Sequence, residues 1–276
     1  MSEPTRRRTM ETLAVRAATG LPLAAGVLLV ILFAPLWVLG LLIAAVAGLG
    51  MHEYTRMALP GPWNVPAVAG VALAGLVALA GLAGGSAALA ALLLGLVALG
   101  LIIAIAGPEL GLAWDDATRR CWGLVYVGGL FAGLVVLLGL PQGRALLIFS
   151  IFAVVAADVG AYFAGHMWGR HKLAPAISPG KTIEGVAGGA LAAAVLGAVY
   201  ALLWLPDTSV GAGFLLGLVL AVVSVGGDLL ESALKRAAGV KDSGSILPGH
   251  GGVLDRVDGI LVGGAAFLLL RMLLWP

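Results

Sequence analysis

LPLAAGVLLVILFAPLWVLGLLIAAVAGLG, residues Leu21–Gly50, runs for thirty positions without a charged side chain. A helix needs about 20 apolar residues to cross the hydrocarbon core of a bilayer. The run is therefore too long for one upright span and barely long enough for two. Pro35 lies in its middle. Proline has no N–H for the helical ladder, and its ring collides with the carbonyl four residues back. The run is read as two short spans, 19–34 and 36–51, with a single kinked span as the alternative. That choice decides on which side of the membrane every later loop emerges.

Seven more apolar segments follow, at 65–83, 88–106, 122–140, 145–165, 184–205, 211–230 and 257–274. The expected fold is an all-α polytopic integral membrane protein of about nine transmembrane helices. About five spans fall in an N-terminal region (1–140) and about four in a C-terminal catalytic region (141–276). Composition agrees: 61% of residues are hydrophobic and 11% charged, with a mean hydropathy of +1.08. A soluble domain carries roughly 25% charged residues. The 42 glycines sit inside Leu/Val/Ala runs, where small residues let helix backbones approach closely, so a flexible soluble linker is excluded. Cys121 is the sole cysteine, which rules out an internal disulfide and disfavours a cysteine-based zinc site. The N-terminal MSEPTRRRTMETLAVR is basic like the start of a signal peptide, but no cleavage pattern and soluble domain come next. It reads as the cytoplasmic flank of the first span.

The charges test the count of nine. With the N-terminus inside, only Arg144 and Arg271 of the 16 Lys and Arg fall outside, leaving fourteen inside. That is a strong positive-inside bias, and eight spans would erase it by exchanging the later loops. The long polar connections 109–120, 166–182 and 231–256 then face the cytoplasm, and any chemistry faces it with them. The expected location is the cell's inner membrane.

Charged residues in this chain are scarce but clustered. The run Ser232–Asp258, SALKRAAGVKDSGSILPGHGGVLDRVD, interleaves both signs between two apolar segments. A plain basic patch would be mostly Lys and Arg; this mixture suits anionic groups held together with metal ions. Just upstream, Asp228, Glu231, Ser232 and Lys235 fall on one helical face. Asp255 and Asp258 are three apart at the start of the last span. Carboxylates are the expected ligands for Mg²⁺, which binds through one or two of them plus substrate phosphates. The plainer reading makes Asp228 and Asp258 interfacial ion pairs of Lys235 and Arg256. His250, in PGHGG, suits a phosphate contact or a general acid or base.

A second cluster runs from Asp158, inside a span, to Gly185. Its SPGKT (178–182) invites comparison with a nucleotide-binding P-loop, but Pro175 occupies the position of the first glycine, and that reading fails. Ser178, Lys181 and Thr182 remain able to offer a cation and hydroxyls to phosphate beside a helix N-terminus. The alternative is an ordinary helix start capped by Ser178 or Thr182, with Glu184 in its first turn.

The two clusters together resemble the phosphatidate cytidylyltransferase (CDP-diacylglycerol synthase) family. Its C-terminal signature has the form S-x-φ-K-R-x4-K-D-x-[GSA]-x2-φ-[PG]-x-H-G-G-φ-x-D-R-φ-D, with φ apolar. Ser232, Lys235, Arg236, Lys241, Asp242, Gly244, Leu247, Pro248, His250, Gly251, Gly252, Asp255, Arg256 and Asp258 fill its specified positions. Asp158–Gly165 and Ser178–Gly185 are similar to the family's D-x-G-A-Y-x-x-G and S-P-x-K-T-x-E-G patterns, with Ile183 where Trp is common. HEYTR (52–56) is similar to an acidic-aromatic spot in relatives; otherwise the first 140 residues match in little beyond hydropathy.

The resemblance implies that CTP and phosphatidate give CDP-diacylglycerol and pyrophosphate with Mg²⁺, one ion or two. By similarity Asp228 and Asp255 are metal ligands, supported by Asp258. Lys235, Arg236, Lys241 and Arg256 hold the phosphates, with Asp242 and His250 beside them and His250 as a phosphate contact. Ser178, Lys181, Thr182, Ser232, Gly251 and Gly252 complete the substrate site, and a homodimer is implied. Two rivals are a secondary transporter using intramembrane acids and a transferase acting on another lipid. The transporter lacks support from any internal sequence repeat.

Overall fold

The computed structural model describes residues 22, 24–59, 61, 63–106, 110–246 and 251–274. The N-terminal flank and the segment Leu247–His250, with its signature residues Leu247, Pro248 and His250, lie outside the described residues. The fold is a bundle of helices. Seven of those in the described residues are long and apolar enough to cross a membrane, which makes the chain a polytopic membrane protein.

The thirty-residue apolar run breaks at Pro35. Helix α1 (Ala24–Phe33) ends just before it, and α2 (Leu36–Ala58) begins just after it. Carbonyls at the end of a helix have no intrahelical donor. Here the Arg144 guanidinium, from the start of a distant helix, donates to the carbonyls of Ile31 (3.0 Å), Leu32 (2.5 Å) and Ala34 (2.6 Å). Arg144 thus holds the joint that the proline opens.

Helix α3 (Val65–Ala80) is capped by Asn64, whose side chain accepts from the Ala67 amide, and α4 (Gly85–Ala106) follows after one 3-10 turn. Helix α5 (Leu110–Gly123) continues through a π-helical turn (Leu124–Gly129) into α6 (Leu130–Gly139). The sequence places a polar loop over 109–120, but the described part is helical from Leu110. Arg120 is buried there against Asp116 four residues back, at 2.9 Å, and pairs at that spacing support a helix.

Helices α7 (Gly143–Trp168), α8 (Ile183–Trp204) and α9 (Val210–Ala237) pack consecutively, and α10 (Leu254–Leu274) lies against α9, α6, α7 and α2. Glycine makes the α7–α8–α9 contacts close. A β-carbon on Gly160 would sit 2.6 Å from that of Ala192, and one on Gly185 would sit 3.0 Å from the Ala161 carbonyl. A β-carbon on Gly197 would run into the Gly213 carbonyl, and one on Gly213 into the Gly197 carbonyl. One feature stands outside the all-helical expectation: an antiparallel hairpin, β1 (Lys172–Ala174) with β2 (Ser178–Thr182), set between α7 and α8.

Candidate active site

Three helices and the hairpin bring their charges to one end of the bundle. Asp158 comes from α7, Asp228 from α9, and Asp255, Arg256 and Asp258 from the first turns of α10. All five line one cavity of about 140 Å³, whose other walls include Val154, Val155 and Ile260. The lining is part acidic and part apolar.

Two lysines answer those acids. Lys181, on β2, reaches Asp228 with Nζ–Oδ2 at 2.6 Å, and Ser232 donates to the other oxygen at 3.2 Å. Lys235, one turn further along α9, bridges Glu231 Oε2 (3.0 Å) and Asp255 Oδ1 (2.7 Å). Asp255 Oδ2 accepts from the Ser243 amide (2.9 Å), the Ser243 hydroxyl (3.0 Å) and the Gly252 amide (2.8 Å). Glu231 is 1% exposed, and its Oε1 has no hydrogen-bond donor among the described residues. A carboxylate taken out of water is costly unless paired and hydrogen-bonded, and Lys235 is the cation that both Glu231 and Asp255 share.

The loop between α9 and α10 is shaped for this arrangement. Gly251 has φ of +79°, and a β-carbon there would lie 2.8 Å from Asp255 Oδ2; only glycine meets both demands at low cost. Gly252 is buried and gives its amide to the same oxygen. The hairpin is tied at both ends. Glu184 accepts from the amides of Arg170 (3.1 Å) and His171 (3.2 Å) and meets His171 Nδ1 at 2.6 Å. Arg236 donates to the Ile177 carbonyl (3.4 Å) at the turn and to Val240 (3.1 Å).

Among the residues expected from sequence, Asp228, Asp255, Arg256 and Asp258 line this cavity, and Lys181, Lys235 and Ser232 bind its carboxylates from outside the lining. Thr182 instead caps α8, accepting from the Gly185 amide at 3.1 Å, which is the plainer of its two expected roles. Ser178 pairs with Ala174 beside the hairpin turn. Arg236, Lys241 and Asp242 are exposed on the surface around the site. Asp158 joins the cavity although the reading of catalytic residues passed over it. Two residues at the site had been given no role there, Glu53 and Ser243. Glu53, on α2, is 2% exposed and accepts from the Val253 and Leu254 amides (2.9 Å each) and sits 3.3 Å from the Ser243 hydroxyl. Its signal in the sequence was HEYTR (52–56), the acidic-aromatic spot just after the expected second span.

Hard carboxylate oxygens beside two lysines suit a divalent ion with a polyphosphate. Among the described residues no three His, Cys, Asp or Glu side chains close on a single point that would hold a metal ion. Mg²⁺ asks for less, since one or two carboxylates, water and substrate phosphates complete its shell. The donor set fits such a shared ion.

The model of the cytidylyltransferase family matches residues 14–274. The chain is 40% identical over 243 residues to the phosphatidate cytidylyltransferase of Pseudomonas aeruginosa, covering 85% of this chain and 87% of that one. Its likeness to the enzyme of that name from Haemophilus influenzae is 48% over 43% of each chain. For the Bacillus subtilis enzyme it is 45%, over 50% of this chain and 51% of the relative.

Proposed function

This chain belongs to the cytidylyltransferase family, and from that premise we propose that it is a phosphatidate cytidylyltransferase of phospholipid biosynthesis. It transfers the cytidylyl group of CTP to phosphatidate, giving CDP-diacylglycerol and pyrophosphate. The observation that carries this reading is the cavity lined by Asp158, Asp228, Asp255 and Asp258, with Lys181 on Asp228 and Lys235 on Asp255. A site for two polyanions needs cations poised to move onto phosphate, and both lysines rest on carboxylates until phosphate arrives.

A phosphate oxygen of phosphatidate attacks the α-phosphorus of CTP, and the bond from that phosphorus to the bridging oxygen of the β-phosphate breaks. Pyrophosphate leaves with the electron pair. Phosphatidate is already ionised near neutral pH, so no strong general base is required. Catalysis then rests on positioning and charge stabilisation. Asp228 and Asp255 would hold Mg²⁺, with Asp258 in support, and a second ion has donors in the same cavity. Bound Mg²⁺ supplies charge neutralisation to the triphosphate and a template for its geometry. Lys181, Lys235, Arg236, Lys241 and Arg256 hold the lipid phosphate and the triphosphate, with His250 as a further phosphate contact.

The apolar wall of Val154, Val155 and Ile260 lets acyl chains remain in the bilayer while the headgroup reaches the acids. The site end is cytoplasmic, in the inner membrane, with α1 and α10 completing nine passes. The positive charges around this end support that orientation. Resemblance to the family supports a homodimer, which the mass of the detergent-solubilised protein checks.

The test is pyrophosphate release by purified protein in micelles containing CTP and phosphatidate, with and without Mg²⁺, beside Asp255→Asn. The expected result is Mg²⁺-dependent CDP-diacylglycerol formation that falls by at least about a hundredfold in the variant. Turnover only with another lipid acceptor would overturn the assignment of substrate. No turnover with any lipid would restore the transporter.

A further inference from the structure

We propose that Glu53 is a positioning residue for Asp255, acting through a carboxylate clamp that joins α2 to the loop before α10; this rests on the reaction assigned above. Glu53 is a buried acid, and among the described residues none of the ion pairs involves it. Its carboxylate is satisfied by the start of a helix. Oε1 takes the Val253 amide and Oε2 the Leu254 amide, both at 2.9 Å. These are among the orphan donors of a helix N-terminus, where negative charge is favoured. A helix cap normally comes from an adjacent residue. This one comes from 200 residues earlier in the chain, so it fixes α10 to α2 as well as capping it.

The loop is moulded around this acid. A β-carbon on Gly244 would stand 2.6 Å from Glu53 Oε1, and one on Gly252 would stand 2.7 Å from Oε2. Gly252 thereby gains a second reason to be glycine, apart from any contact with substrate. Ser243 connects the two acids: its hydroxyl lies 3.0 Å from Asp255 Oδ2 and 3.3 Å from Glu53 Oε2. A hydroxyl has one proton to donate, and the shorter distance gives it to Asp255. Glu53 therefore sets the first turn of α10, and Ser243 passes that placement to the carboxylate facing Lys235. Supporting partners of this kind typically carry 10- to 100-fold effects on activity.

The experiment compares full-length wild type, Glu53→Gln and Ser243→Ala in phosphatidate micelles. It reads kcat and KM for CTP, the thermal midpoint, and amide hydrogen exchange without substrate. Glu53→Gln keeps the shape but turns an NH2 group toward amide donors; Ser243→Ala removes only the bridge. We expect kcat to fall about 10- to 100-fold in Glu53→Gln and about tenfold in Ser243→Ala. KM for CTP should stay within about threefold, the pattern for a group felt mainly in the transition state. Exchange at Val253 and Leu254 should quicken in Glu53→Gln and not in Ser243→Ala. Wild-type kcat per folded molecule with a lowered thermal midpoint would reduce Glu53 to a strut and overturn the proposal. If Glu53→Gln does not fold, Ser243→Ala decides alone, and an unchanged kcat there overturns it. An inactive wild type would defeat the assigned reaction instead; the clamp is then judged by exchange, and unaltered exchange at Val253 and Leu254 in Glu53→Gln overturns it.

Discussion

Lys235 is the residue on which the charge balance of the site turns. Its ammonium lies between Glu231 and Asp255, with all three side chains at least 88% shielded from solvent. Removing one partner of a buried ion pair leaves an uncompensated charge and costs about 3–5 kcal/mol. Lys235→Ala should therefore lower the denaturation midpoint in detergent well beyond Lys241→Ala, whose exposed side chain should matter by less than about 0.5 kcal/mol. Adding Glu231→Gln to Lys235→Ala should recover part of the loss, because one of the two acids that lose their shared lysine is replaced by a group that carries no charge in any state. Equal midpoints for the two lysine variants would refute the balance. The i, i+3, i+4 and i+7 spacing of Asp228, Glu231, Ser232 and Lys235 made this face legible in the sequence. Which acid each lysine would choose was not legible. Lys235 passes over Asp228, on its own helix, for Asp255 twenty residues on, while Lys181 crosses from the hairpin to Asp228. Such pairings depend on how three elements dock. Glu53 was harder still, since its donors lie 200 residues away.

Among the elements, α7, α8 and α9 form the platform that holds Asp158 and Asp228 in register, and glycine governs their spacing. A β-carbon on Gly189 would run into the Ala157 carbonyl of α7, whereas one on Gly211, near the start of α9, meets open space. Gly189→Leu should sharply reduce the yield of monodisperse protein, because backbone contact leaves no side chain able to yield. Gly211→Leu should purify as wild type. Similar elution profiles for both would show that this close approach carries no weight. The sequence announced these elements through long apolar runs, and the Pro35 break appeared where a missing N–H demands it. The hairpin was not announced. SPGKT has no strand-like alternation, and its pairing is held by the external ties of Glu184 and Arg236. Helix α5 was hidden for a similar reason: its polar face reads as a loop until Arg120 is seen buried on Asp116.

At the scale of the whole molecule, the two ends of the bundle differ in charge. One end carries the acidic cavity together with Arg119, Arg170, Lys172, Lys181, Lys235, Arg236, Lys241 and Arg256. The opposite end gathers the Pro35 joint, Arg144, the Gln142–Asp207 hydrogen bond of 2.7 Å and Arg271. Both of its cations have local work: Arg144 closes the end of α1, and Arg271 lines a small pocket with Asp207. Cations cost most to translocate, so the gathering of nearly all of them, among the described residues, at one end supports the proposed cytoplasmic placement of that end. CTP is a cytoplasmic nucleotide, and the same orientation gives it direct access to the cavity. Cys121 as the only cysteine makes this measurable. In a Cys121→Ser background, Lys241→Cys on the exposed loop at the site end and Asp207→Cys at the opposite end would each present one thiol. A membrane-impermeant maleimide added to intact cells or spheroplasts should label the Asp207 variant and spare the Lys241 variant, with both labelled after lysis. Labelling of Lys241→Cys in intact cells would invert the protein in its membrane. It would also place the cavity on the side from which CTP cannot reach it, so the orientation and the assigned reaction stand or fall together on this one comparison.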